Sequence, residues 1–468
     1  MIIATYKKMT LLITAMLVVS GIGCNKFVEV GPPIDSITTE AAYATDAKAG
    51  SVVRGMYVSM LKSVNQAFGG AVSAGLAISA DELSVTSATS AYREFYENRV
   101  NAANNAVNNF YWKPFYNTIF IANAILENVP KSAGMSEPAK TRFMAEARFV
   151  RAAVYFYLTN LYGDVPLLTG TDYAENARQP RAAIDRVNDL IMTDLQAAKA
   201  GLDATYPDAV RIRANVHAVN ALLARVYLYR QDWENAERMA TEVIEGGAAL
   251  YNLETTLNNV FLLSGKEVIL QLSHPGTNLY TWEGYAFVQN GVPAYPLTDT
   301  LYNAFAAGDA RKTSWVKTTP VTSGGVTRTY YSPYKYKVNS NGGGGTRTES
   351  LAFLRLAEMY LVRAEARAQR SNLPQAIADL DVIRKRAGLQ TPTDPATGRD
   401  ALLALIAHER FVELFAELGH RWLDLKRTGK ADEVLAGKPN WRPEAKLFPI
   451  PQEEIELNPA LRQNEGYN

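Results

Sequence analysis

Cysteine occurs once, at Cys24, so the chain can form no internal disulfide and no thiolate cluster for a metal. Histidine is nearly as scarce: His217, His274, His408 and His420 are too few and too scattered to favour a metal site. An excess of positive charge is also missing. Lys and Arg number 48 against 47 Asp and Glu, so no field gathers nucleic acid or an anionic membrane by charge alone. The apolar run from Met9 to Ile22 is too short to cross a bilayer as a helix.

The usual catalytic patterns fail on inspection. Glu409 follows His408, but a zinc-protease helix needs its second histidine where Val412 stands. Gly70 and Gly75 bracket Ser73, yet a nucleophile elbow needs glycine at Ala71. The glycines Gly342 to Gly345 lack a phosphate-loop lysine, and no cofactor motif appears. Glu409, Glu413 and Glu417 recur at four-residue steps. With Arg410, Arg421 and Arg427 close enough to neutralise them, a structural ion-pair network between packed helices is favoured over acid–base chemistry. An enzyme is not expected.

What the chain does have is helical period. Leu354, Ala357, Leu361, Ala364 and Ala368 share one helix face from Leu351 on, and Leu373, Ala376, Ile377, Leu380 and Ile383 share another, closed by Gly388. Ala224, Leu228, Trp233 and Ala236 fall in register with Ala364, Ala368, Leu373 and Ala376, the mark of tetratricopeptide-like hairpins that stack to bury their apolar faces. Further helices are predicted from Ala41 to Leu61, Trp112 to Val129, Pro138 to Leu161, near Pro180 to Leu202, and Asp400 to Arg427. Two stretches break the pattern. One, about 84–109, holds six Asn from Asn98 to Asn109 with Tyr92 and Tyr96, and reads as a long exposed excursion. The other, about 248–346, is rich in aromatics, glycine and proline, with β-like runs at Glu267 to Leu272 and Thr327 to Val338.

Residues 1–23 read as an export signal, with Lys7 and Lys8 before a short apolar middle, and Cys24 behind it as a bacterial lipoprotein attachment site. Gly21 stands where leucine is usual, and of the ten residues that follow Cys24 only Glu29 is acidic. Each buried acyl methylene contributes about 0.8 kcal/mol, so several chains together moor a body to a membrane. Residues 24–37, with Gly31, Pro32 and Pro33, suit an extended tether.

Tyr92, Tyr96, Tyr280, Trp282, Tyr285 and Tyr295 lie off the apolar helix stripes. Flat exposed rings match the apolar face of a pyranose, and burying roughly 100 Å² there contributes about 2–3 kcal/mol, enough for a reversible sugar clamp. The other reading is a small satellite core under the loops.

In ordered blocks the chain resembles the SusD/RagB family of outer-membrane nutrient-binding lipoproteins. The blocks are Trp112, Tyr116, Ile119 and Asn123; Ala145 to Arg151 with Tyr162, Gly163, Val165 and Pro166; Asp309 and Arg311; Arg355 to Ala366; Glu409 to Asp424; and Phe448 to Tyr467. The resemblance implies a mainly α, tetratricopeptide-like right-handed superhelix over residues 38–468, carrying an irregular, partly β, loop-rich binding region. It also implies capture of an oligosaccharide, handed to a SusC-like TonB-dependent channel, without catalysis or cofactor. By position, Tyr92, Arg93 and Tyr96 fall where glycan-binding members place contacts, and Tyr280, Trp282 and Tyr285 fall in the second such region. Trp282→Ala or Tyr96→Ala is expected to weaken binding with little shift in melting temperature. The alternatives are a peptide-capturing RagB-like relative and a periplasmic tetratricopeptide scaffold for proteins.

Overall fold

In the computed structural model of the chain, residues 38–61, 65–274, 276–341 and 345–467 are described. The signal segment 1–23, the tether 24–37 with Cys24, and Gly342, Gly343 and Gly344 lie outside them. The main helices are α1 (Asp46–Leu61), α2 (Ala71–Ser79), α3 (Arg93–Tyr96), α4 (Lys113–Asn128), α5 (Glu137–Tyr162), α6 (Ile184–Gly201), α7 (Val216–Tyr229) and α8 (Trp233–Ile244). After them come strand β1 (Val268–Leu272), helices α9 (Trp282–Phe287) and α10 (Asp299–Ala304), and strands β2 (Val316–Ser323), β3 (Val326–Pro333) and β4 (Leu351–Arg355). Helices α11 (Leu356–Gln369), α12 (Leu373–Arg386), α13 (Arg399–Leu414) and α14 (His420–Arg427) follow. The fold is mainly α.

Helix α5 shows why the sequence signals work. Ser136 caps its start by accepting from the Ala139 amide, proline sits in its first turn, and Gly163 ends it with φ of 73°. Helices then pack in sequence, α4 on α5, α5 on α6, α7 on α8, α8 on α11, and α11 on α12 and α13. The two hairpins match even at their turns. Gln231 and Ser371 occupy the same place in the repeat, and both take left-handed backbone, with φ of 58° and 63°. Ala224, Ala236, Ala364 and Ala376 are fully buried, which lets the paired helices approach closely.

Three expectations are corrected. The chain at Leu351 enters as strand β4, antiparallel to β1, and the helix begins only at Leu356. Leu351 to Arg355 is buried on both faces, so its run of apolar residues carries no helical period of its own. The helix expected from Asp400 to Arg427 breaks after Leu414, with Ala416 and Leu418 in left-handed backbone. There Lys335 donates to the carbonyls of Glu413 and Phe415, each at 2.8 Å, and so satisfies the end of α13. Gly419 presses against Leu76 of α2, where an added Cβ would lie 2.3 Å from the Leu76 side chain. Finally, residues 84–109 are no exposed excursion: Tyr92, Phe95, Ala106 and Val107 are buried in the main core.

Candidate functional site

The two irregular stretches, far apart in sequence, lie side by side. The Ser84 amide donates to the Pro296 carbonyl at 2.8 Å and the Thr86 amide to the Ala294 carbonyl at 3.1 Å. Their rings form one cluster. Tyr92 meets Tyr295 edge-on at 5.7 Å, Tyr295 stacks on Trp282 at 6.4 Å, and Trp282 meets Phe287 edge-on at 5.9 Å.

Most of that cluster is core. Tyr92 is 0% exposed and donates its hydroxyl to Asn65, while Trp282 is 4% exposed. The indole of Trp282 lies flat on Gly70, where a Cβ would fall 2.0 Å from the ring, and Gly70 has φ of 103°. The expectation of accessible rings at Tyr92 and Trp282 is therefore corrected: both faces are taken up by protein. Trp282 also opens a short helix, capped by the Thr281 hydroxyl, where no helical period was visible.

The rings that remain outward are Tyr285, 52% exposed, and the half-buried Tyr280, stacked at 5.3 Å with 27° between their planes. Tyr96 is half-buried, with the Arg93 guanidinium 5.6 Å from its ring centre and Lys438 5.5 Å from it. Arg93 itself is tied to Glu97 by an ion pair at 2.5 Å. Tyr96 lines a hollow of about 290 Å³ together with Asp81, Thr298, Thr300, Val434 and Lys438. Lys438 spans its base, donating to the carbonyls of Ile78, Ser79 and Ala80 at the end of α2, and burial pushes its ammonium down to about 7. No local pattern marks Lys438 or Asp81 in the sequence, because the partners that place them lie hundreds of residues away.

The carboxylates behave otherwise. Arg311 meets Glu409 at 2.6 Å and Glu413 at 3.0 Å, and Arg355 meets Glu413 and Glu417 at 2.7 Å each. Arg386 joins Glu267 at 2.7 Å and also reaches Glu413, Lys335 reaches Glu417, and Arg311 holds Asp309 at 2.8 Å. The ionic network is thus internal, but its cations come from other elements than expected: Arg410 and Arg427 serve Asp424, and Arg421 serves Asp81. Although burial opposes it, Arg386, Arg355 and Arg311 hold the Glu413 carboxyl well below the usual range. Such a carboxylate is a poor proton acceptor at neutral pH.

Comparison with known proteins fits this geometry. The pattern of the SusD family matches residues 276–467, and that of the family described as starch-binding, associating with outer membrane, matches residues 26–228. The chain is a SusD-like protein. A SusD-like protein of Formosa agariphila is 26% identical over 411 residues, covering 76% of this chain and 79% of that one. The starch-binding protein SusD of Bacteroides thetaiotaomicron is 24% identical over 428 residues, covering 72% and 75%. The solved structure of a laminarin-binding SusD-like protein superimposes with a TM-score of 0.76 at 25% identity, over 91% of this SusD-like chain and all of that one. No helix among the described residues is long and apolar enough to cross a membrane.

Proposed function

We propose that this SusD-like protein captures an oligosaccharide at the outer membrane and passes it to a SusC-like TonB-dependent channel, by binding alone. The observation that carries the reading is the stacked pair Tyr280 and Tyr285, flat and outward beside an aromatic core that holds it in place. The names of two similar proteins, one starch-binding and one laminarin-binding, support a glucan-like ligand. A pyranose stacked on Tyr285, or on Tyr96 with Arg93 beside it as a donor, needs no proton transfer. Cys24 is the proposed acyl attachment site, and the description of the matched family supports association with the outer membrane.

Calorimetry of the purified protein against starch and laminarin fragments and against mixed peptides tests the ligand class. Glycan binding is expected; binding of peptides alone would instead favour a RagB-like role. Metabolic labelling with a palmitate analogue reads the anchor, and Cys24→Ser is expected to abolish the label. Co-purification of a large outer-membrane channel with the tagged protein is expected if the hand-over is right.

A further inference from the structure

The hollow at Tyr96 does not end there. Thr300 and Val434, which line it, also line a larger cavity of about 960 Å³, so the two hollows adjoin at these residues. The larger part runs along α13, whose residues Ala404, Ala407, His408 and Phe411 recur at three- and four-residue steps on the groove side. Its volume is at the top of the range of roughly 300–1,000 Å³ that accommodates whole small ligands, so the combined groove suits an extended chain.

Charge in this groove is closed on itself. Arg421 holds Asp81 through two bonds of 2.7 Å. Arg410 holds Asp424 at 2.7 Å, Arg427 holds Asp424 at 2.7 Å and Glu365 at 2.6 Å, and Lys430 holds Glu433 at 2.7 Å. Lys438 is taken by three carbonyls. Each of these cations already has its oxygen partners, whereas Asp400, also on the groove, makes no ion pair among the described residues. An anionic polymer would therefore find no free counter-charge. One donor stands apart: Nη1 of Arg410, on a side chain only 2% exposed, has no hydrogen-bond partner among the described residues, and Arg410 lines the groove. Its charge is balanced by Asp424, so what it lacks is an acceptor such as a hydroxyl oxygen.

We propose that the binding groove continues from Tyr96 along α13 to Arg410, and that the chain it takes is uncharged and hydroxyl-rich, several sugar units long. This rests on the glycan-capture reading and narrows it. A uronate or sulfate ester would meet Asp400 without a cation to offset it.

The test is calorimetry on the whole protein with neutral gluco-oligosaccharides from disaccharide to hexasaccharide, α- and β-linked, and with uronate oligomers of the same lengths. Ala407→Trp and Ala404→Trp fill the groove from exposed helix positions, and an unchanged melting temperature in either one certifies its fold. Affinity for the neutral ladder is expected to rise roughly tenfold or more with length in the parent protein. The tryptophan variants should lose that gain while keeping the affinity for the disaccharide. Binding should be insensitive to salt between about 50 and 500 mM, since no ion pair forms with the ligand. Uronate binding that falls with salt, no gain with length, or a gain that survives both tryptophans overturns the proposal while leaving glycan capture standing. A parent protein that binds no glycan of either kind overturns the capture reading itself, and this inference with it.

Discussion

The ionic seam beneath α13 and the aromatic loops beside α2 are both built from residue types that a sequence reader associates with function, and both are largely interior. They differ in what is left over. In the seam no charge is: Arg311, Arg355, Arg386 and Lys335 pair with Glu267, Glu409, Glu413 and Glu417, all at most 5% exposed, and of their buried polar atoms only Arg386 Nε lacks a hydrogen-bond partner among the described residues. In the loops, burial of Tyr92 and Trp282 leaves Tyr280, Tyr285 and Tyr96 outward. Charges must be matched when water is removed, so a buried ionic cluster closes on itself; rings need only contact, so an aromatic cluster ends in usable faces.

The largest effect is expected in the seam. Arg355→Met leaves Glu413, Glu417 and Glu267 short of a shared cation, and removing one partner of a buried pair costs about 3–5 kcal/mol. Chemical denaturation should show that loss. A cost under about 1 kcal/mol would mean the seam is hydrated and the contrast with the loops false.

Trp282→Ala is expected to cost a similar or slightly smaller amount, about 3–5 kcal/mol before the cavity relaxes. The ring fills the space over Gly70 and touches Tyr295 and Phe287, so its loss should lower the melting temperature as well as binding. A variant that melts like the parent would return Trp282 to the surface.

How far the sequence spoke for itself follows the same division. Helices with a periodic face and a cap, such as α5 with Ser136 and Gly163, were legible because their signals are local. So was the repeat, in the register of Ala224, Leu228, Trp233 and Ala236 with Ala364, Ala368, Leu373 and Ala376, whereas the matching left-handed turns at Gln231 and Ser371 emerge only from the structure. Leu351 to Arg355 was not, since a strand buried on both faces has the composition of a buried helix. The nature of the seam was legible from the acid spacing, but its partners were not, because Lys335 and Arg355 reach Glu417 only after the helix breaks at Phe415. The aromatic segments were rightly grouped, yet which ring faces outward depends on neighbours such as Gly70 and Asn65 that no spacing reveals.

Individual carboxylates in the helical interior and in the loops should also titrate in opposite directions. In the helical interior, burial opposes ionisation of Glu358, but Arg225 at 2.6 Å brings its carboxyl down to about 2. Its folded value lies below the ordinary 4.5, so its contribution is present above that and lost as pH falls toward 2. In the loops, burial pushes Glu283 up to about 7, with Ser73 donating to it at 2.9 Å. Burial, then Asp81, pushes Glu82 up to about 8. Here the folded state holds more protons than the unfolded one, so stability is full below about 4.5 and declines as pH rises through 7 to 8. Glu283→Gln should flatten that alkaline decline in melting temperature and leave the acid limb unchanged; an unaltered alkaline limb would place the titration elsewhere.

Tyr285→Ala should have the smallest effect on stability and separates the regions most sharply. At 52% exposed, Tyr285 gives up one stacked contact with Tyr280, so the change in unfolding free energy is expected within about 0.5 kcal/mol. Loss of a flat partner for a pyranose should nonetheless weaken glycan affinity roughly tenfold, or about 1.4 kcal/mol. Paired with Trp282→Ala, three residues away on the same short helix, it asks one question of two rings. If the outward ring governs affinity and the inward ring governs melting, the loops are a binding face standing on a core. If Tyr285→Ala leaves affinity intact while Tyr96→Ala abolishes it, the sugar lies in the groove over Lys438, and the outward pair has another use.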